Sequence, residues 1–230
     1  MLYKKYSSMK RPAQPTPKDV EITVSPKKTI VSRTDEKGII RFVNDYFKEI
    51  AGYNENELIG QPHNVIRHPD MPKIIFKHLW DELKQGHDVR AIIKNLAKDG
   101  RYYWVITNFH TLYDDDGNII GYYARRKAVP QHVKEEVSKL YKTLKSLEEQ
   151  GGMEASEKFL QQWLKEHNTT YSNYVESLFG GDKELIERYL KSEISDADLA
   201  KCEDKYISKF EKSHAQKTGK KGFWNKLFGK

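Results

Sequence analysis

A loop at residues 60–72, with the sequence "GQPHNVIRHPDMP", concentrates the side chains that are best suited to chemistry. It offers six polar side chains close together in sequence: Gln61, His63, Asn64, Arg67, His68 and Asp70. An arginine presents a rigid fork of donors to phosphates or to the carbonyls of a flat heterocycle, and prolines preorganise a loop. The alternative is that Arg67 and Asp70 pair only with each other and fix a turn.

The segment after the loop, "KIIFKHLWDELKQG", is predicted to be an amphipathic helix that ends at Gly86. Phe76, Trp80 and Leu83 recur at helical spacing, so this face belongs first of all to a hydrophobic core. The alternative is that a planar ligand stacks beside Phe76 and Trp80.

The histidines and the motif content bear on metals and on catalysis. His63, His68 and His78 are spaced five and ten residues apart, which matches no compact metal motif, although a helical histidine such as His78 can be an axial haem ligand. The sequence has no glycine-rich phosphate loop, no G-x-S-x-G and no H-E-x-x-H. We therefore expect a binding protein and not an enzyme.

The loop and the helix must be positioned by the elements around them. The β-rich runs are separated by turn signals such as "KDG" and "DDDGN", and short helical segments lie between the second run and the third. The predicted strands are 29–34, 39–43, 88–97, 101–113 and 119–128. This order predicts an α+β fold, in which a five-stranded antiparallel sheet has short helices on one face and is followed by an α-helical C-terminal extension.

The fourth strand, "RYYWVITNFHTL", has apolar side chains on both faces. One face carries Tyr103, Val105, Thr107, Phe109 and Thr111, and the other carries Tyr102, Trp104, Ile106, Asn108 and His110. Both faces are therefore expected to be covered. One would contact the helices and a ligand, and the other would contact the chain's own flanks or a partner protein.

The net charge of +7 comes from the two ends of the chain. Residues 1–18 and 212–230 together carry +11, which leaves −4 on the residues between them, so we expect no nucleic-acid partner. The N-terminus lacks the apolar core of a signal peptide, and no apolar run is long enough to span a membrane. A cytoplasmic protein is therefore expected.

Four segments between residues 25 and 128 form a specific pattern: "AGYNENELIGQPHNVIRHPDMP", "FKHLWDELKQG", "IIKNLAKDGRYYWV" and "IIGYYARRK". They resemble the PAS domain of bacterial aerotaxis receptors. The resemblance implies a cytoplasmic redox or energy sensor that binds FAD non-covalently and relays its redox state to a chemotaxis receptor. By position, the residues associated with the flavin would be Asn44, Arg67, His68, Asp70, Phe76, Trp80 and Asn95.

The resemblance also implies roles for these residues. Arg67 would hold the charged or polar part of the cofactor, Phe76 and Trp80 would flank its ring system, and Asn44 and Asn95 would hydrogen-bond its polar edge. The alternatives are a haem-binding PAS gas sensor and a ligand-free PAS adaptor.

One position departs from the family pattern. The receptors have Trp-x-Gly at the start of the third strand, where this chain has Val89-Arg90-Ala91, and the loss of an aromatic residue there would alter the pocket.

The resulting division of the chain is a basic flexible arm at 1–20, a PAS sensor domain at 21–130, a signalling helix at 131–150, a helical appendix at 151–211 and a basic amphipathic tail at 212–230. The signalling helix holds about two heptads, enough for a weak homodimer contact. The expected partner is a membrane chemoreceptor or another signalling protein. Within the tail, residues 217–230 mix lysines with aromatic residues, which predicts peripheral binding to an anionic membrane surface at the inner face of the cytoplasmic membrane.

Overall fold

A five-stranded antiparallel sheet forms the centre of the protein, as the computed structural model of the chain shows for residues 14–181 and residue 186. The strand order is β2-β1-β5-β4-β3. The strands are β1 (Ile30–Thr34), β2 (Ile40–Val43), β3 (Val89–Leu96), β4 (Tyr102–Tyr113) and β5 (Ile119–Ala128). This arrangement confirms the predicted α+β fold.

Short helices connect β2 to β3, and two longer helical segments follow β5. The helices are α1 (Asp45–Ala51), α2 (Glu55–Leu58), a 3-10 helix (His63–Ile66), α3 (Lys73–Lys84), α4 (Gln131–Glu166) and α5 (Tyr171–Ser177). Their ends follow local chemistry. The Asn44 side chain caps α1, and Gly52 ends it in the left-handed conformation.

Helix α4 is interrupted at residues 151 and 152, where the predicted signalling helix ends and the predicted helical appendix begins. Gly151 and Gly152 have non-helical backbone angles, with φ of −134° and 72°, because glycine tolerates conformations that other residues avoid. Beyond residue 181, and apart from Ile186, the predicted helical appendix at 151–211 lies outside the described residues, and so does the tail at 212–230.

The first part of α4 covers the outer face of the sheet, which is the face away from α3. Its apolar side chains Val133, Val137 and Leu144 are fully buried. The Tyr141 ring stacks on Trp104 of β4 with 6.3 Å between centroids. This apolar face of α4 is therefore not accessible for the predicted homodimer contact, because it is buried against the chain's own sheet.

The segment before β1 also packs on the sheet. Backbone hydrogen bonds join Lys18 N to Gly100 O at 2.7 Å, Tyr102 N to Val20 O at 3.0 Å and Ile22 N to Tyr102 O at 2.7 Å. The pairing of β5 with β4 begins only at Val105, so the Tyr102 backbone needs another partner. Residues 18–22 are therefore bonded along the edge of β4, and the flexibility of the arm at 1–20 stays a prediction. The prediction that both faces of β4 are covered is confirmed, because Tyr103 and Val105 on one face and Trp104 and Ile106 on the other are all buried.

Among residues 14–181 and 186, no helix has both the length and the apolarity that crossing a bilayer requires.

Candidate functional site

A cavity of about 400 Å³ lies between the inner face of the sheet and α3. This volume falls within the range of small-molecule sites. Four aromatic side chains line it: Phe76, Trp80, Phe109 and Tyr122. The polar side chains that line it include Ser32, His63, Arg67, Asn95 and Arg126. A mostly apolar cavity with a few convergent polar groups is the usual form of a ligand site.

The aromatic wall is held in place by contacts among its own members and by a glycine. The Trp80 and Tyr122 rings meet edge to face at 5.3 Å. At Gly38 φ is 77°, and a β-carbon there would lie 2.9 Å from the Trp80 ring. Gly38 therefore serves both the turn between β1 and β2 and the close approach of Trp80.

Arg67 and Asn95 form one cluster of polar residues in the cavity, which joins the loop to β3. The backbones of Arg67 and Asn95 pair with each other. The Arg67 guanidinium donates to Met71 O at 3.0 Å and lies 4.3 Å from the centre of the Phe76 ring. Burial lowers the pKa of Arg67, and the nearby Glu148 carboxylate opposes that shift. Asn95 is 4% exposed, and its Nδ2 has no hydrogen-bond partner.

Ser32, His63 and Arg126 form a second cluster of polar residues, which joins β1, the 3-10 helix and β5. Arg126 donates to Ser32 Oγ and to His63 Nε2, both at 3.0 Å, and Ser32 Oγ lies 3.1 Å from the same His63 nitrogen. Burial and the Arg126 charge lower the pKa of His63 to about 3. His63 is therefore neutral at physiological pH and accepts through Nε2.

Asn44, one of the predicted flavin residues, does not line the cavity. Its Oδ1 accepts from Val31 N at 3.0 Å and from Phe47 N at 3.1 Å. Its Nδ2 donates to Thr29 O at 2.9 Å. These three bonds tie β1 to the start of α1, and they use both acceptor sites and one of the two donor hydrogens of the amide.

His68 and Asp70 lie outside the cavity as well. His68 is buried, and its Nδ1 accepts from Asp70 N at 3.1 Å. Burial, with the Lys94 charge, lowers the pKa of His68 to about 4. The Asp70 carboxylate pairs with Lys94 at 2.7 Å and its side chain is 65% exposed. The alternative prediction that Asp70 pairs with Arg67 is therefore wrong.

The seven predicted residues thus separate into two groups. Arg67, Phe76, Trp80 and Asn95 come together in the cavity, and the other three do not line it. Sequence reasoning did not assign several other lining residues to the site, among them Ser32, Tyr122 and Arg126, and it placed Phe109 only on one face of β4. Strand alternation was the available signal, because inward residues of β1, β4 and β5 recur at every second position.

The histidines do not converge on one point. His63 lines the cavity, whereas the His78 ring packs edge to face on Tyr171 at 5.7 Å. In the part of the chain that the structure describes, no three His, Cys, Asp or Glu side chains group as metal ligands. The predicted role of His78 as an axial haem ligand would therefore require a site other than this cavity.

Val89-Arg90-Ala91, the segment at the start of β3 that departs from the family pattern, does not line the cavity either. Val89 and Ala91 are buried. Arg90 points the other way and pairs with Glu176 of α5 at 2.5 Å. The family's aromatic residue is thus replaced by a small apolar one on the inner face.

Residues 40–124 match the family model described as the PAS fold. The sheet order and the helices described above agree with this match, which assigns the PAS fold to residues 40–124.

Over 116 residues the chain is 41% identical to the aerotaxis receptor of Escherichia coli, covering 50% of this chain and 23% of the receptor. This similarity confirms the predicted resemblance.

Another relative and a solved structure are similar to part of this chain. The bacterioopsin transcriptional activator of Halobacterium salinarum is 29% identical over 94 residues, covering 41% of this chain and 14% of that protein. The structure of the light state of the blue-light photoreceptor Aureochrome1 LOV aligns with a TM-score of 0.43 at 16% identity, over 49% of this chain and 89% of that one. The chain spans less than a quarter of the length of each of these two curated relatives.

Proposed function

We propose that the protein is a redox or energy sensor whose PAS domain binds FAD non-covalently and relays its redox state to a chemotaxis receptor by protein contact. The observation that carries the proposal is the aromatic-walled cavity whose lining includes Asn95, a residue whose buried Nδ2 has no hydrogen-bond partner among the described residues. A buried donor without a partner is costly, and a ligand with a polar edge would supply the acceptor. The similarity to the aerotaxis receptor of Escherichia coli supports the same class.

The residues present fit a flavin. Trp80 and Phe76 would contact the flat ring system, Asn95 would donate to its polar edge, and Arg67 would hold a phosphate or a carbonyl. When bound, the flavin supplies reversible electron transfer. The chain's own residues bind the ring, orient it and exclude water.

A haem sensor is the weaker alternative for this cavity. His63 is the histidine that lines it, and its Nε2 already accepts from Arg126. An iron ligand at that nitrogen would have to displace this bond.

The proposal is tested by reconstituting the purified protein with FAD. We expect absorption bands at about 370 and 450 nm that stay with the protein through desalting. Arg67→Ala should weaken FAD binding at least tenfold, because it removes a charged hydrogen-bond donor worth about 1.5–3 kcal/mol. Arg101→Ala is the matched control, since Arg101 lies outside the cavity and pairs with Asp99.

The result decides between a sensor and an adaptor. A protein that stays colourless after reconstitution would reject flavin binding and leave the ligand-free PAS adaptor. A Soret band would indicate haem instead. Full FAD occupancy in Arg67→Ala would remove Arg67 from the site.

We propose that a change of redox state in the cavity is transmitted to α4 and α5 through β3. Asn95 faces the cavity, and on the same strand Ile92 O accepts from the Tyr141 hydroxyl of α4 at 2.6 Å. The Tyr141 hydroxyl also meets that of Tyr171 in α5. A change of charge on the ligand would alter its bond to Asn95 and shift β3 against both helices.

Tyr141→Phe is expected to uncouple α5 from the ligand. The change removes the hydroxyl bonds to Ile92 O and Tyr171, at a net cost of about 1 kcal/mol each. In the wild type, amide hydrogen exchange in α5 should differ between oxidised and reduced FAD protein, and this difference should fall by half or more in the variant. The control is Tyr174→Phe, whose ring packs on Trp163. An unchanged difference in Tyr141→Phe would rule out this route.

The remaining expectations extend the proposal to the cell. The partner would be a membrane chemoreceptor or another signalling protein, the location would be cytoplasmic, and no nucleic acid would be bound. A homodimer would need a surface other than the apolar face of α4. Residues 217–230 lie outside the described residues, and their binding to an anionic membrane surface stays a prediction.

A further inference from the structure

Arg126 is a buried cation without a counter-charge. It is 2% exposed on β5 and lines the cavity. Its hydrogen bonds go to Ser32 Oγ, to His63 Nε2 and, at 3.4 Å, to Ala124 O. All three acceptors are neutral. Within residues 14–181, Arg126 forms no ion pair.

Such an arrangement is costly for the protein alone. Burying an unpaired charge is unfavourable by several kcal/mol in real proteins. Burial lowers the pKa of Arg126 to about 10, so it keeps its proton at neutral pH. Its titratable neighbours His63 and Tyr103 do not compensate it, because His63 is neutral and burial raises the pKa of Tyr103.

The other arginine of the cavity, the half-buried Arg67, provides a contrast. Aromatic rings lie over both guanidinium groups, at 4.3 Å for Arg67 and Phe76 and at 5.9 Å for Arg126 and Phe109. Only Arg67 also has a carboxylate nearby among the described residues, that of Glu148, which partly balances its charge before any ligand binds. Arg126, held on β5 by Ser32 and His63, remains the place where a ligand's negative charge would be stabilised most strongly.

We propose that Arg126, oriented by Ser32 and His63, makes the cavity select an aromatic ligand that carries negative charge beside β5. Resting on the proposed function, this means that the site favours the reduced flavin as its anion. In that step the oxidised ring takes up two electrons from a reductant and one proton from solvent, and it ends with one negative charge. Arg126 is a binding residue for that charge and raises the reduction potential.

The first test measures the potential of the FAD-reconstituted protein with dithionite as reductant. Arg126→Gln should weaken binding of reduced FAD at least tenfold relative to oxidised FAD, which corresponds to a potential about 30 mV lower for a two-electron couple. Arg126→Lys should restore part of the shift. Arg125→Gln is the matched control, because Arg125 is equally buried on the same strand but does not line the cavity. An equal potential in Arg126→Gln and wild type would overturn the inference.

A second measurement needs only the wild type, so it holds even where Arg126→Gln fails to fold. If the reduced ring is anionic, one proton accompanies two electrons, and the potential should fall by about 30 mV per pH unit between about pH 6 and 8. A slope of twice that value means that two protons are taken up, and it would contradict the inference.

A third arm separates this inference from flavin binding itself. Should the wild type not bind FAD, the ligand-free protein is titrated with anilinonaphthalene sulfonate and with its uncharged phenylnaphthylamine analogue. We expect the sulfonate to bind more tightly and to lose at least tenfold in affinity in Arg126→Gln, with Arg125→Gln unchanged. Equal affinity for both probes, or no loss in the variant, would reject anion selection.

Discussion

Replacing Asn44 with alanine is expected to lower the free energy of unfolding by about 3 kcal/mol and to leave the FAD affinity of the folded protein unchanged. The side chain is 5% exposed and makes three hydrogen bonds, to Val31 N, Phe47 N and Thr29 O. Loss of an N-cap costs about 1 kcal/mol, and each buried backbone group left without a partner adds about 1–3 kcal/mol. The expected total is a large part of a domain's stability of about 5–15 kcal/mol.

Thermal unfolding and FAD titration at low temperature measure the two effects separately. Asn44→Asp is the matched control, because it keeps the acceptor for Val31 N and Phe47 N and loses only the donor to Thr29 O. Its stability should lie between those of the wild type and Asn44→Ala. A variant with the wild-type unfolding temperature and no bound FAD would show that Asn44 contacts the cofactor after all.

Asn44 and Asn95 show where the sequence was informative and where it was not. Both are buried asparagines near β-strand ends, and the resemblance gave both the same role. The preference of asparagine for helix N-caps was a local signal for Asn44. That Asn95 lines the cavity and leaves its Nδ2 without a partner depends on the pairing of β3 with the loop, which is a contact between distant segments.

The strands and turns could be predicted because their signals are local. Glycine lies at the β1–β2 turn (Gly38), at the end of α1 (Gly52) and at the break in α4 (Gly151-Gly152). Each depends on a backbone angle that glycine adopts readily. The helix at 131–150 was also correct as an element.

The partners of these elements could not be predicted in the same way. The apolar face of α4 suits a second copy of the helix or the outer face of its own sheet equally well, since both bury the same side chains. The pair Arg125-Arg126 presented a similar problem. Alternation requires the two side chains to point to opposite faces, but only the assembled sheet shows that Arg126 meets Ser32 and His63.

Replacing Asn95 with leucine is expected to move stability and ligand binding in opposite directions. Leucine has a similar size and removes the buried donor that lacks a partner, so the ligand-free protein should gain about 1 kcal/mol in its free energy of unfolding. FAD would lose the donor to its polar edge and leave a buried acceptor unpaired, which costs about 1–3 kcal/mol, or about tenfold to a hundredfold in affinity.

Ile93→Leu is the matched control for this variant. Ile93 lines the same cavity from the same strand, and its replacement changes the shape of the wall without removing a polar group. We expect a change in FAD affinity of no more than a few fold, since an isomeric apolar exchange usually costs less than about 1.5 kcal/mol. Chemical unfolding of the ligand-free proteins and FAD titration by fluorescence give the two quantities. If Asn95→Leu binds FAD as tightly as the wild type, the amide does not contact the ligand. The unpartnered amide would then no longer support the proposal that the cavity binds a flavin. If it loses both stability and FAD, Asn95 serves the fold through contacts that leucine cannot replace. Only a gain in stability together with a loss of affinity agrees with an amide that is held unpaired for a ligand.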